Sequence, residues 1–361
     1  MDDVKKILIF KLCCFGDAVF ITPVIRALKE KYPLSEITYI HSPWIKDIMP
    51  YMKHIDKTIE FDAESGKNYI NKFYNALKII FRLRREKFDL VFLGHRTSLF
   101  GFILFLSGIK YRFGFKDTKF INYSAPFDEH ISEPQRYLKI LQKNNVKISG
   151  IKTELKRKKE QSDIRKKLGY SENDFIIGVF PFGGINPGTD MDIKRWKLEK
   201  YFNLIDEINK EFSKIKILLF EGIMKNELIN PEYETDGYVK IKLSIDAISI
   251  CNIFISGDTG PLHIAAAFDI PTLSIFGPSD PGLVAPVNVE GKEIHRFIWK
   301  KPVCSPCYTP STAIDKKNKK YWNNKNFICF MGNVICLKEI TVDEVFNVLK
   351  EMLKINGVEK K

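Results

Sequence analysis

The sequence predicts an α/β protein made of two doubly wound domains that face a central cleft. Two observations carry this. Short apolar runs alternate from end to end with longer segments of helical spacing, the pattern of βαβ units in which helices cover parallel sheets. The chain has 361 residues, which at about 100 to 200 residues per domain is room for two cores.

In order, Lys6–Leu12, Glu36–Ile40, Lys57–Phe61 and Asp89–Leu93 read as strands of a first sheet. Ile21, Ile25, Leu28 and Tyr32 repeat at helical spacing, so a helix is expected around Pro23–Lys31. Thr22-Pro23 is either its cap and first-turn pair or a bend in a helix that begins earlier. The apolar run Leu99–Ile109 has 11 residues. A membrane-spanning helix needs roughly 20, so a buried or interfacial helix is expected.

The highly charged stretch 152–167, with KRKKE at 156–160, reads as the link between halves. A second series follows: strands Phe175–Phe180, Ile215–Phe220, Ile253–Ser256 and Thr272–Phe276, with helices Leu198–Phe212 and Pro261–Phe268. The expected division is an N-terminal domain over 1–155, a charged linker over 156–172, a C-terminal domain over 173–340, and a helix and tail over 341–361.

Hydrophobic residues make up 45% and charged residues 28% of the chain, values of a folded, water-soluble protein. The net charge of +13 favours anionic partners, namely nucleotide phosphates, nucleic acid or an acidic membrane surface, and fits a solvated lysine-rich surface equally well. Seven cysteines are too few for a disulfide scaffold and are expected to be reduced. The opening MDDVKKILIF runs straight into a strand, without the pattern of a signal peptide, so a cytoplasmic location is expected.

Three loops carry candidate chemistry. Cys13 to Ala18 joins the carboxyl end of the first strand to a helix, where ligands bind in open α/β sheets. There Gly16 would allow close backbone approach, and Asp17 is either an N-cap or a proton acceptor. Ser256 to His263 is more specific: it follows a strand, holds two glycines and places Pro261 where a helix starts. Its backbone N–H groups and helix dipole suit a diphosphate. Pro187 to Trp196 offers Thr189 as a hydroxyl donor and Lys194 or Arg195 as phosphate-reaching cations. The alternative there is a solvated loop leading into a helix, with Trp196 packed in the core.

Cys304 and Cys307, with Cys329 and Cys336, have the composition of a four-thiolate metal site. The second pair has six residues between its members, a loose spacing, and reduced packing cysteines are the preferred reading, with no metal.

Together these segments resemble the family 9 glycosyltransferases, the ADP-heptose:lipopolysaccharide heptosyltransferases. The opening Gly-Asp loop and Thr-Pro helix, the Arg112 to Phe115 turn after the middle apolar helix, KRW at 194–196 and the run SGDTGPLHIAAAFDIPTLSIFGPSDPG carry the likeness. It implies a GT-B fold of two Rossmann-like domains, the acceptor mainly on the first and the nucleotide sugar mainly on the second. It also implies inverting transfer of heptose from ADP-heptose, or of a related sugar, to the inner core of lipopolysaccharide.

By position the resemblance makes Asp17 the general base and Lys194 the charge that neutralises the departing diphosphate. Thr259, Gly260, Pro261 and Leu262 form the phosphate-facing turn, Asp258 and His263 shape the donor site, and Glu227 resembles the ribose-contacting acidic position, whereas its spacing alone favours a solvated glutamate at a helix start. No cofactor is implied. The partners are a nucleotide sugar and a lipid-linked glycan, with work done at the cytoplasmic face of the inner membrane.

Two departures stand out: FGGINPGTDMDI precedes KRW, and the helix after Trp196 opens with Lys197 where proline is usual. A dehydrogenase is disfavoured because no strand is followed by GxGxxG. A nucleic-acid binder is disfavoured because the lysines are scattered and no RNA-binding aromatic motif appears. A catalytically silent sugar-nucleotide binder is the remaining alternative.

Overall fold

The computed structural model describes residues 3–63, 69–186, 189–222, 237–289, 291–324 and 326–358. The chain divides into two units, Met1–Lys156 and Arg157–Lys361.

The first unit runs β1 (Lys6–Phe10), α1 (Phe15–Phe20), α2 (Thr22–Lys31), β2 (Glu36–His41), β3 (Lys57–Glu60), α3 (Tyr69–Glu86), β4 (Leu90–Leu93), α4 (Ser98–Leu106), β5 (Tyr111–Phe115), β6 (Tyr123–Ala125) and α5 (Glu133–Lys143). Its six strands lie in the order β3-β2-β1-β4-β5-β6, all parallel. Ile7, Leu8, Ile9 and Phe10 are fully buried, as are Leu90 to Leu93. Such unbroken apolar strands form where helices cover both faces of a parallel sheet.

The helix expected around Pro23–Lys31 begins at Thr22 with Pro23 in its first turn, and the earlier helical residues form a separate short helix, not the first part of a bent one. Ile21 ends α1 and starts α2, and the Thr22 hydroxyl bonds back to the Val19 carbonyl instead of capping the helix. β1 ends at Phe10, so Lys11 and Leu12, read as strand, belong to the loop. β5 and β6 were not expected.

The second unit runs α6 (Gln161–Lys167), β7 (Phe175–Phe180), β8 (Ile185–Asn186), β9 (Thr189–Asp190), α7 (Leu198–Glu211), β10 (Ile215–Glu221), β11 (Tyr238–Lys242), α8 (Ile245–Ile248), β12 (Ile253–Gly257), α9 (Gly260–Ala267), β13 (Thr272–Phe276), α10 (Pro281–Val284), β14 (His295–Trp299), α11 (Pro310–Ile314), β15 (Trp322–Asn323), β16 (Asn326–Phe327), α12 (Ile335–Lys338) and α13 (Val342–Ile355). Its main sheet, β11-β10-β7-β12-β13-β14, is all parallel. Numbered within each unit, both sheets have the order 3-2-1-4-5-6 of the doubly wound nucleotide-binding fold.

The charged stretch read as a linker carries α6, whose buried Arg165 donates to the carbonyls of Ser171, Asp174 and Ile250. It is therefore packed into the second unit. The C-terminal α13, closed by a Thr341–Glu344 capping box, packs on α7 of the same unit. A small accessory sheet, β15-β16-β9-β8, was not foreseen, because two-residue strands leave no periodic signal. Among the described residues no helix is long and apolar enough to cross a membrane.

Candidate functional site

In a sheet of this order, the order of strand addition reverses between the first and fourth strands, and the loops leaving their carboxyl ends splay apart to make a ligand crevice. In the first unit these are the loops after β1 and β4.

The first of them holds Asp17. The N-cap of α1 is Cys14, at φ 69°, and Asp17 sits in the helix's first turn, so the cap reading is not borne out. The left-handed residue is Cys14, not Gly16. Asp17 faces Lys11, whose Nζ lies 3.0 Å from its Oδ2. The same ammonium donates to Tyr137 Oη at 2.9 Å and to the Gly94 carbonyl at 3.2 Å, giving each of its three protons an acceptor. Tyr137 in turn donates to Glu133 Oε1 at 2.5 Å, and Arg136 holds the other oxygen of Glu133 at 3.0 Å.

Burial opposes the charge on Lys11, but Asp17, Tyr137 and Glu133 outweigh it and hold its pKa well above the usual lysine value. Lys11 is therefore a fixed buried cation beside a carboxylate that keeps 29% of its surface exposed. Gly94 makes the room for it. A Cβ there would lie 3.0 Å from Lys11 Cδ and 3.2 Å from Ile21 Cδ1.

His95, the next residue, accepts a bond from the Leu12 amide at Nε2, 2.8 Å away. Burial, and then the Lys11 charge, push its pKa well below the usual value, so the ring is neutral. The folded state then resists a proton that the unfolded chain takes up near pH 6.5, and the resulting stability, present above that pH, is lost as pH falls through it. The wild-type melting temperature should drop more steeply between about pH 7 and 5 than that of His95→Gln, which keeps an acceptor for Leu12 but does not titrate. Parallel profiles would refute this.

Among the described residues, ligand atoms of three or more His, Cys, Asp or Glu close within 4.8 Å of one another only at Cys13, Cys14 and Asp17. Lys11 already supplies a positive counter-charge there, which disfavours a second cation. The hydrogen bond with the Cys13 thiol, and then burial, raise the pKa of the half-buried Cys14 thiol well above the usual value. The thiol is protonated at neutral pH.

In the second unit the switch-point loops follow β7 and β12. Asp258, directly after β12, is mostly buried and accepts from Lys194 Nζ at 2.7 Å and from Ser279 Oγ at 2.7 Å, with His263 Nε2 at 3.7 Å. Burial works against its ionisation. Lys194 and His263 outweigh that and hold its pKa far below the usual carboxylate range. Lys194, at the end of the short turn 192–194, also lies 4.1 Å from the centre of the Tyr308 ring.

Thr259 caps α9. Its Oγ1 accepts from the Leu262 amide at 3.4 Å and shares a hydrogen bond with Ser256 Oγ at 2.9 Å. A helix leaves its first amides without intrahelical partners, Pro261 has none to offer, and Leu262 is satisfied internally. That leaves the amides of Thr259 and Gly260, at the positive end of the helix, for an anion. The loop after β7 closes against this turn: at Gly183, with φ 127°, a Cβ would stand 2.2 Å from Thr259 Cγ2.

Of the donor residues expected from sequence, Lys194, Asp258, Thr259 and His263 come together, with Gly260, Pro261 and Leu262 forming the helix start. Thr189 lies in the β8–β9 hairpin beside Asp190, which pairs with Arg195. Arg195 also donates to the Gly183 carbonyl at 2.6 Å. It braces the loop. Trp196 is packed in the core, as the alternative reading of that segment had it, and donates to the Ile340 carbonyl. Glu227 lies outside the described residues.

Cys304, Cys307, Cys329 and Cys336 are free thiols near enough to affect one another's ionisation. Burial, then the neighbouring cysteines, raise Cys307 to about 11 and Cys336 to about 12. Cys307 and Cys329 pack on the apolar cluster of Met191, Ile193, Trp322 and Phe327. Protonated packing thiols suit that setting.

Sequence reasoning passed over Lys11, Gly94, His95, Tyr137, Glu133, Ser279 and Tyr308. The one available signal was Lys11 itself, a lone lysine at the end of a wholly apolar run.

A family model described as glycosyltransferase family 9 (heptosyltransferase) matches residues 76–308. "Lipooligosaccharide heptosyltransferase 2" of Haemophilus influenzae is 23% identical over 307 residues, 78% of this chain and 86% of that protein. Among solved structures, a family 9 glycosyltransferase from Veillonella parvula aligns with TM-score 0.75 at 20% identity, covering 98% of this chain and 99% of that one. ADP-heptose lps heptosyltransferase II of Escherichia coli aligns with TM-score 0.73 at 18% identity over the same shares. The fold is accordingly GT-B, each unit Rossmann-like. Since the family match spans well over half of the sequence and the structural likeness nearly all of it, the chain belongs to glycosyltransferase family 9, the heptosyltransferase family, and is a glycosyltransferase.

Proposed function

We propose that this glycosyltransferase moves heptose, or a related sugar, with inversion from ADP-heptose or another nucleoside diphosphate sugar. The acceptor is the inner core of lipopolysaccharide or a similar lipid-linked glycan at the cytoplasmic face of the inner membrane. The observation that carries the reading is chemical complementarity at the two switch points. The first unit has a carboxylate fixed by a buried cation; the second has an ammonium and the amide end of a helix. The names of the Haemophilus and Escherichia proteins supply the sugar and the acceptor class.

In the reaction, the acceptor oxygen attacks the anomeric carbon and its proton passes to Asp17. The bond from that carbon to the diphosphate oxygen breaks, and the nucleoside diphosphate leaves with the electron pair. Its growing charge is met by Lys194, by the Thr259 and Gly260 amides and by the α9 dipole, donors worth most in the transition state. Asp258 holds Lys194 in place and His263 borders it; the family resemblance assigns Glu227 to the ribose. No resident cofactor is part of this scheme.

The test is a thermal-shift series with ADP-, UDP- and GDP-sugars, coupled to nucleotide release. A donor at about a hundred times its Kd stabilises the native state by about 2.7 kcal/mol. ADP-heptose should raise the melting temperature most, and free ADP should appear only when lipid-linked acceptor is added. A shift without release would mark a silent binder; no shift with any of the sugars would refute the donor site.

A further inference from the structure

Helix α3 carries two apolar stripes. Ile79, Ile80 and Leu83 are buried in the core of the first unit with Ile103 and Leu104 of α4. Ile70, Phe73, Tyr74 and Phe81 recur at helical spacing along a different face and are 57 to 76% exposed. The neighbouring α4 does the same: Leu99, Phe102 and Phe105, three residues apart, are exposed, and exposed Phe120 packs on the last two with ring centroids 5.2 and 5.4 Å away.

The charge around these residues has one sign. Residues 69–120 hold eleven Lys or Arg and three Asp or Glu, so they carry eight of the chain's thirteen net positive charges. Each of the three acids has a partner: Asp117 pairs with Arg96 of the same segment, Asp89 accepts from the amides of Lys5 and Lys6, and Glu86 lies near Lys6. Lys78 lies over the Tyr74 ring at 4.4 Å and Arg112 over Phe105 at 5.5 Å. Each cation sits beside an aromatic.

We infer that the exposed faces of α3 and α4, with Phe120, dock this protein on an anionic lipid bilayer. Aromatic rings favour the interfacial layer, aliphatic side chains such as Ile70 and Leu99 enter the acyl boundary, and the surrounding Lys and Arg meet lipid phosphates. A nucleic acid would use the cations but offers nothing to the two exposed aliphatic side chains. The inference rests on the membrane-side placement proposed above, and names the surface responsible.

The full chain is sedimented with phosphatidylcholine vesicles, either pure or containing roughly 30% phosphatidylglycerol. The wild type should pellet with the anionic vesicles only. Phe73→Ser/Leu99→Ser, and separately Lys78→Glu/Arg82→Glu, should each weaken that binding at least about tenfold. All four sites are exposed, so melting temperature and transfer to a lipid-free core oligosaccharide should not change. Wild type that pellets with neither vesicle overturns the inference together with the membrane placement. Variants that pellet like the wild type overturn the surface alone, as do variants that pellet normally but lose binding to mixed-sequence DNA.

Discussion

Asp17→Asn should lower kcat by about 10² to 10⁴-fold, the usual contribution of a positioned general base, while leaving donor affinity nearly intact. Asparagine keeps the shape of the side chain and an oxygen for the Lys11 ammonium, but takes no proton from the acceptor hydroxyl. Donor contacts are assigned to the second unit, so the donor Kd, measured by calorimetry, should stay within about twofold. The substitution also removes the counter-charge of a buried lysine. The melting temperature should therefore fall, and the two rates are compared well below both transitions. Wild-type turnover in the variant would eliminate Asp17 as the base.

Lys194→Met should abolish transfer and destabilise the second unit at once, because Lys194 holds a buried carboxylate. Breaking a buried ion pair from one side costs about 3 to 5 kcal/mol, which for a unit of this size lowers the melting temperature by on the order of 10 °C. The pair is sequestered, with Lys194 10% and Asp258 12% exposed. Adding Asp258→Asn to Lys194→Met removes the orphaned charge and should recover much of that loss. Activity should not return, since no ammonium faces the departing diphosphate. A double variant that regained transfer would show that Lys194 matters only as a partner for Asp258.

The contrast between these two residues shows how far the sequence reaches. The shape of loop 256–263 was legible because its chemistry is local: a strand, two glycines and a proline at a helix start place free amides at a helix N-terminus within eight consecutive residues. Even there, the amide of Leu262 turned out to be used by Thr259, a detail of side-chain rotation that no spacing encodes. Asp17 was legible as a polar residue at a strand end, but its alternative as an N-cap was decided only by where α1 begins.

The sequence alone determined the alternation of strands and helices, and with it the two doubly wound sheets. Strands buried on both faces must be written as unbroken apolar runs, and helices with one buried side must repeat near every fourth residue. Burial of that kind is a local property. What only the tertiary structure decided is which distant loops share a crevice. Strand order 3-2-1-4-5-6 sets β1 beside β4 and so puts Lys11 against Gly94, 83 residues away, and against Tyr137, 126 residues away. It likewise decided which stripe of α3 faces the core. Both stripes are apolar and spaced alike, and only packing against α4 and the sheet leaves one of them in water.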